Sequence, residues 1–283
     1  METITDKNIK ELQVKANDIR KSILEMLYLA GSGHTAGSLG MTDIFTYLYF
    51  NALKHKPKDP FWVERDRLVL SNGHICPVLY ATMAHAGYFD KSELKTLRKF
   101  GSHLQGHPHR EFLPMLETSS GPLGEGLSQS VGMAIISKMD NGIDKKIYCL
   151  SGDGELNEGQ NWEAIMLAAK HKLNNLILIV DRNFIQINGS TEIVMPLGDL
   201  LSKFKSFEWN GEQIDGNDFV QINHAIYNAK NEKNKPYVII AKTIPCKGIK
   251  EWEGNYKWHG KTPNKEEYEM GMKELESLGE KIK

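Results

Sequence analysis

Apolar residues recur every three or four positions through residues 7–30, so Ile19, Ile23, Met26 and Leu27 fall on one helical face. The run stops at Gly31-Ser32-Gly33, a helix end. The same spacing predicts helices over 41–53, 76–87, 127–139, 161–173 and 217–231, and a charged helical tail from Asn264. Short continuous apolar runs predict strands at RLVLS (67–71), IYCLS (147–151), NLILIVD (175–181) and YVIIAKT (237–243). Residues 101–126, rich in Gly, His, Pro and Ser, read as loop. The order strand 147–151, helix 161–173, strand 175–181 is a βαβ unit with a right-handed crossover. The pattern therefore predicts an α/β fold, a mostly parallel sheet with helices on both faces. With no repeat, low-complexity tract or linker in view, residues 1–283 are expected to form one domain.

Composition narrows the partners. A net charge of -1 gives no bulk attraction to nucleic acid or membrane. The longest apolar run, LILIV, is too short to cross a bilayer. The N-terminal METITDKNIKELQ is charged and lacks the apolar segment of a signal peptide. Cys76, Cys149 and Cys246 are odd in number and widely spaced, which suits a reducing compartment, so a cytoplasmic location is expected.

Gly152-Asp153-Gly154 follows one apolar strand and precedes a helix. In parallel α/β sheets, ligands bind outside the carboxyl ends of the strands. Asp153 is expected there, and Asn183 just past the next strand, with 28 residues between it and Gly154, returns to the same edge. A carboxylate and an amide oxygen are hard donors suited to Mg²⁺ or Ca²⁺, and Mg²⁺ completes its shell with phosphate and water. Glycines on either side leave room for a phosphate, with a helix N-terminus beyond. A plain tight turn is the competing reading for the tripeptide alone.

Four of the ten histidines, His34, His74, His107 and His259, sit at element ends, mostly after glycine. A lone histidine is more often structural, but four on one rim would suit polyhydroxylated substrates and carbonyl chemistry. His55, His85, His103, His109, His171 and His224 read as ordinary surface or core residues.

From about residue 15 to 261 the chain resembles the N-terminal half of transketolase, on Gly152-Asp153-Gly154, Asn183, GSGHTAG, SNGHICP and LQGHP. The resemblance implies the thiamine-diphosphate-binding fold, with thiamine diphosphate and Mg²⁺ (Ca²⁺ as a substitute) as cofactors. It implies that Asp153, Asn183 and the Ile185 carbonyl hold the metal, with Gly154, His74 and His259 at the diphosphate. His34 and His107 would take the donor's hydroxyl end, and His259 would also assist proton transfer. Ser120 and Gly121-Pro122-Leu123-Gly124 would form the loop beneath the rings, and Ile187 an apolar contact to the thiazolium. Glu158 would link paired sites across a subunit interface; a surface or capping glutamate is the alternative. The family usually has Pro-Gly after its first histidine, where this chain has Thr35-Ala36, leaving that loop's shape open.

The implied activity is transfer of a two-carbon ketol unit from a ketose, or ketose phosphate, to an aldose acceptor, as in pentose phosphate metabolism. The family's pyrimidine-binding domain follows this region and supplies an activating glutamate and sugar-phosphate ligands. A 283-residue chain is expected to obtain it from a companion, giving a split enzyme, an α₂β₂ heterotetramer. Asp153→Ala is expected to abolish metal-dependent cofactor binding while sparing the fold. A xylulose-phosphate synthase or a 2-oxoacid dehydrogenase component stays open as an alternative, although the histidine segments favour transketolase over the dehydrogenase. A non-catalytic relative has no reason to keep Asp153, Asn183 and all four histidines. A Mg²⁺-dependent phosphatase usually needs a second carboxylate or a nucleophile beside the first, and none is evident in the sequence near Asp153.

Overall fold

The computed structural model describes residues 4–140 and 145–282; the first three residues of the charged N-terminal stretch lie outside them. Its strands are β1 (Arg67–Leu70), β2 (Ile147–Gly152), β3 (Leu176–Arg182), β4 (Ile185–Gln186), β5 (Gly189–Ser190), β6 (Asn210–Asp215) and β7 (Tyr237–Lys242). Its α-helices are α1 (Asp6–Ala30), α2 (Ala36–Gly40), α3 (Thr42–Tyr47), α4 (Cys76–Ala86), α5 (Glu125–Met139), α6 (Gly159–Lys170), α7 (Thr191–Val194), α8 (Leu200–Ser206), α9 (Phe219–Asn231) and α10 (Lys265–Ile282). Five strands form a parallel sheet in the order β1-β2-β3-β7-β6, while β4 and β5 pair as a small antiparallel hairpin.

Strand periodicity divides the core in two, because successive side chains leave a strand on opposite faces. Tyr148, Leu150, Ile177, Ile179 and Ile239 pack beneath α1, α3, α4 and α9. Ile147, Cys149, Leu176, Leu178 and Val180 pack beneath α5, α6 and α8. Both faces are covered, so β2, β3 and β7 read as unbroken apolar runs. Each fully buried Leu or Ile contributes about 2 kcal/mol of transfer free energy.

Local chemistry sets the ends. The Thr5 hydroxyl caps α1 through the Asn8 N–H, and Gly31, at φ +63°, closes it in the left-handed region. Helical structure after Gly33 begins at Ala36, earlier than the expected residue 41. Its glycines mark close packing rather than a break: a Cβ at Gly37 would lie 2.7 Å from Ile75, and one at Gly40 2.9 Å from the Ile244 carbonyl. Helix α6 ends at Lys170, three residues before the expected 173, and Lys172 then turns the chain at φ +48°. Strand β6 has no counterpart in the hydrophobic pattern. It is a sheet edge whose sequence NGEQID buries one side chain, Ile214, so it carries no apolar run.

Candidate active site

The carboxyl ends of β1, β2 and β3 open on a cavity of about 400 Å³. His34, His74, His107 and His259 line it, together with Asp153, Gly154, Asn183 and Ile185. Gly121, Leu123 and Ile187 also line it. Pro122, between two lining residues, is exposed and does not.

Asp153 leaves the end of β2 and is 1% exposed. Its Oδ2 accepts from the Phe184 N–H (2.9 Å) and from Arg182 Nη1 (3.0 Å), while Oδ1 accepts from the Gly154 N–H (2.8 Å). That Gly154 N–H is therefore engaged within the turn. The β3–β4 turn passes through Phe184 at φ +63°, a left-handed conformation costing a non-glycine residue about 1 kcal/mol. The turn sets the Ile185 N–H on Asn183 Oδ1 at 3.0 Å, and Asn183 Nδ2 donates to Asp181 Oδ2 at 2.8 Å. Asp181 thus fixes which way the amide faces. Burial pushes Asp181 up to about 7, with Asp153 adding to the rise, and burial also raises Asp153. A cation at this end of the cavity would favour both as carboxylates.

These residues fit a metal-bound diphosphate. Asp153, Asn183 and Ile185 all line the cavity, and a carboxylate, an amide and a backbone carbonyl are hard oxygen donors. Two buried polar atoms of cavity-lining side chains, His34 Nδ1 and Asn72 Oδ1, have no protein partner. Unsatisfied buried groups in a polar cavity indicate a missing ligand. Asp153 also has structural partners, which corrects the expectation that its loss spares the fold: alanine would leave the buried Arg182 without its carboxylate partner at the site and the Phe184 N–H without an acceptor.

The imidazoles form one cluster. Ring centroids lie 5.0 Å apart for His34 and His74, 5.1 Å for His74 and His259, 5.6 Å for His34 and His259, and 6.3 Å for His34 and His107. Burial holds all four below the ordinary histidine value, and their mutual repulsion adds to this for His34 and His74. His34 is pushed down to about 4. The depression penalises the charged form, so each ring stays neutral as pH falls past 6.5, with one nitrogen to donate and one to accept. In an NMR titration of the labelled chain, the His34 resonances are expected to hold steady from pH 8 to about 5.5 and move only near 4. A midpoint near 6.5 would contradict the buried cluster.

Other histidines are satisfied elsewhere: His55 by Tyr88 and the Tyr49 carbonyl, His85 by Ser22, His103 by the Phe112 carbonyl. Thr35, the departure after the first site histidine, is buried, and its hydroxyl donates to the Lys261 carbonyl (2.6 Å), tying that loop to the His259 segment.

Glu158 stands apart from the other expected catalytic residues. It is the exposed N-cap residue of α6 and does not line the cavity, because the chain turns outward there to start the helix. It lies instead against Gly124, where an added Cβ would be 2.7 Å from the Glu158 Cβ.

Glu155 went unnoticed in the sequence. It is 3% exposed, lines the cavity, and accepts from the Ser71 and Ser151 hydroxyls and the Gly124 and Gly152 N–H groups. One carboxylate thus joins the ends of β1 and β2 to the start of α5. Its position two residues past Asp153 was the available signal. Asn72, inside the SNGHICP segment, also lines the cavity, as do Asp181 and Gln186, which no motif marked.

The parallel sheet, the glycine-flanked aspartate at its carboxyl edge and the donor set beside it define a diphosphate-binding domain of the thiamine-diphosphate-dependent class. Residues 12–277 match the family described as transketolase, thiamine diphosphate binding domain, and the chain belongs to that family. It is 38% identical to an apulose-4-phosphate transketolase subunit from Phocaeicola vulgatus over 97% of both chains. It is 40% identical to the 6-deoxy-6-sulfo-D-fructose transketolase subunit SqwG of Clostridium sp., covering 95% of this chain and 98% of that one. Human transketolase is 35% identical over 95% of this chain but only 42% of its own length. The crystal structure of Campylobacter jejuni transketolase superposes with a TM-score of 0.87 at 36% identity, covering 96% of this chain and 45% of that one. The chain therefore spans nearly the full length of the subunit relatives and under half of the longer transketolases.

Proposed function

We propose that this chain is the diphosphate-binding subunit of a two-chain transketolase, inactive until a companion carrying the pyrimidine-binding domain joins it. The convergence of four neutral imidazoles and the Asp153–Asn183–Ile185 donor set on one cavity carries this reading. Full-length similarity to chains named as transketolase subunits supports the need for a companion.

Mg²⁺, with Ca²⁺ as a substitute, would be held by Asp153, Asn183 and the Ile185 carbonyl. When bound, thiamine diphosphate supplies the electron sink that lets a carbon–carbon bond beside a ketose carbonyl break. The protein's share is grip, orientation and proton handling. Asp153 and Asn183 anchor the diphosphate end, with His74 and His259 beside it. His34 and His107 meet sugar hydroxyls, each able to accept at one nitrogen and donate at the other. His259, neutral at physiological pH, can hold or return a proton at the substrate's carbonyl oxygen. Gly121, Leu123 and Ile187 give the rings an apolar floor. The substrates are sugars or sugar phosphates, the assembly an α₂β₂ heterotetramer with Glu158 at an interface between chains, and the location cytoplasmic, which the three unpaired buried cysteines favour.

The test is reconstitution. The purified chain with thiamine diphosphate, Mg²⁺ and a donor ketose is expected to show no ketol transfer, and adding the companion chain to restore it. Robust turnover by this chain alone would overturn the two-chain reading.

A further inference from the structure

Arg98 is unused by the site described so far, yet its placement is specific. Its backbone sits at φ +60°, a strained conformation for arginine, with its N–H on the Leu104 carbonyl (2.9 Å). Its Nη2 donates to the Gly106 carbonyl at 3.2 Å. A Cβ on Gly106 would lie 2.8 Å from the guanidinium carbon, so only glycine lets the group lie where it does. A Cβ on Gly33 would be 3.9 Å from its Nε. Gly33 precedes His34 and Gly106 precedes His107, so one planar cation lies against both glycine-histidine corners. Among the described residues no carboxylate forms an ion pair with Arg98, although its side chain is exposed.

From this geometry we infer that Arg98 is a positioning residue, its guanidinium bracing the Gly33-His34 and Gly106-His107 corners so that both imidazoles are held in place toward the sugar. A guanidinium suits this because it is permanently charged and rigidly planar. The charge environment agrees. His259, Arg98 and His107 all act to lower His34, and Arg98 acts on His107. Cys76 and Tyr80 on α4 also feel the Arg98 charge, and Lys261, just beyond His259, is paired with Glu267.

This inference rests on the transketolase reading, and its test separates the two. Arg98→Met and Arg98→Lys are compared in the assembled enzyme by kcat and KM across pH, and in the chain alone by histidine NMR titration, which needs no turnover. Met is expected to raise the His34 and His107 midpoints, since a nearby cation is lost, and to move the acid limb of the rate profile upward with them. It should also lower kcat by about tenfold at neutral pH. Lys should return the midpoints and the acid limb toward wild type while leaving kcat reduced, because an ammonium cannot span both corners. Unchanged midpoints in Arg98→Met, or an equal loss of rate at every pH in both variants, would overturn the inference. If the wild-type assembly fails to transfer ketol units, the functional reading falls while the titration still decides the effect of Arg98.

Discussion

Replacing Asp153 with asparagine is expected to weaken Mg²⁺-dependent binding of thiamine diphosphate to the assembled enzyme by more than about 100-fold, with the protein still folded. Losing a group that merely supports a metal ligand costs roughly 10- to 100-fold, and a direct anionic ligand should cost at least the upper figure. Asparagine can turn its oxygen toward Arg182 and the Phe184 N–H, preserving those contacts, while its uncharged NH2 takes the other oxygen's place and the Gly154 N–H loses its acceptor. Alanine removes the contacts too, and should add about 3 kcal/mol of destabilisation by stripping a buried guanidinium of one of its two carboxylate partners. Calorimetry with and without Mg²⁺, beside urea unfolding of both variants, separates the effects. A folded Asp153→Asn variant with unchanged metal-dependent affinity would remove this residue from the metal site.

Two glutamates three positions apart should behave in opposite ways. Glu155→Ala removes the acceptor of four donors, of which only the Ser151 hydroxyl has another in the Gly152 carbonyl, and is expected to destabilise the chain by about 4 kcal/mol. Glu155→Gln should cost about half as much: the Ser71 and Ser151 hydroxyls can rotate to accept from the new amide, whereas the Gly124 and Gly152 N–H groups can only donate, so one of them loses its partner. Glu158→Ala, on the exposed N-cap, should change stability by less than about 0.5 kcal/mol and act, if at all, only once the companion is bound. Urea denaturation of the isolated chain measures all three. Wild-type stability in Glu155→Gln would show that the carboxylate does not bind the three loops together.

The legible and illegible parts of this chain divide along physical lines. Strands β2, β3 and β7 are covered on both faces, so burial wrote them as apolar runs, and the βαβ unit between residues 147 and 181 could be read directly. Edge strand β6 buries one side chain and left no trace in the pattern. The early start of helix at Ala36 was hidden by glycines that serve packing against Ile75 and Ile244. Gly-Asp-Gly and the glycine-histidine corners were visible because each sets a glycine, which leaves room where a Cβ would stand, beside a chemically distinctive side chain. Glu155 and Asp181 were not, because an acidic residue that will be buried looks like any other until its donors are brought to it.

By itself the sequence determined the central strands and the longer helices, the parallel βαβ unit and the candidate chemistry, since these follow from local spacing and residue type. Only the tertiary structure decided which residues share a cavity. It brought histidines from positions 34, 74, 107 and 259 within 5.0–6.3 Å of their neighbours, turned Asn183 against Asp181, and left Glu158 outside. It also decided charge state, because a ring or carboxylate acquires its protonation preference from burial and neighbours, and both depend on contacts between residues far apart in the chain.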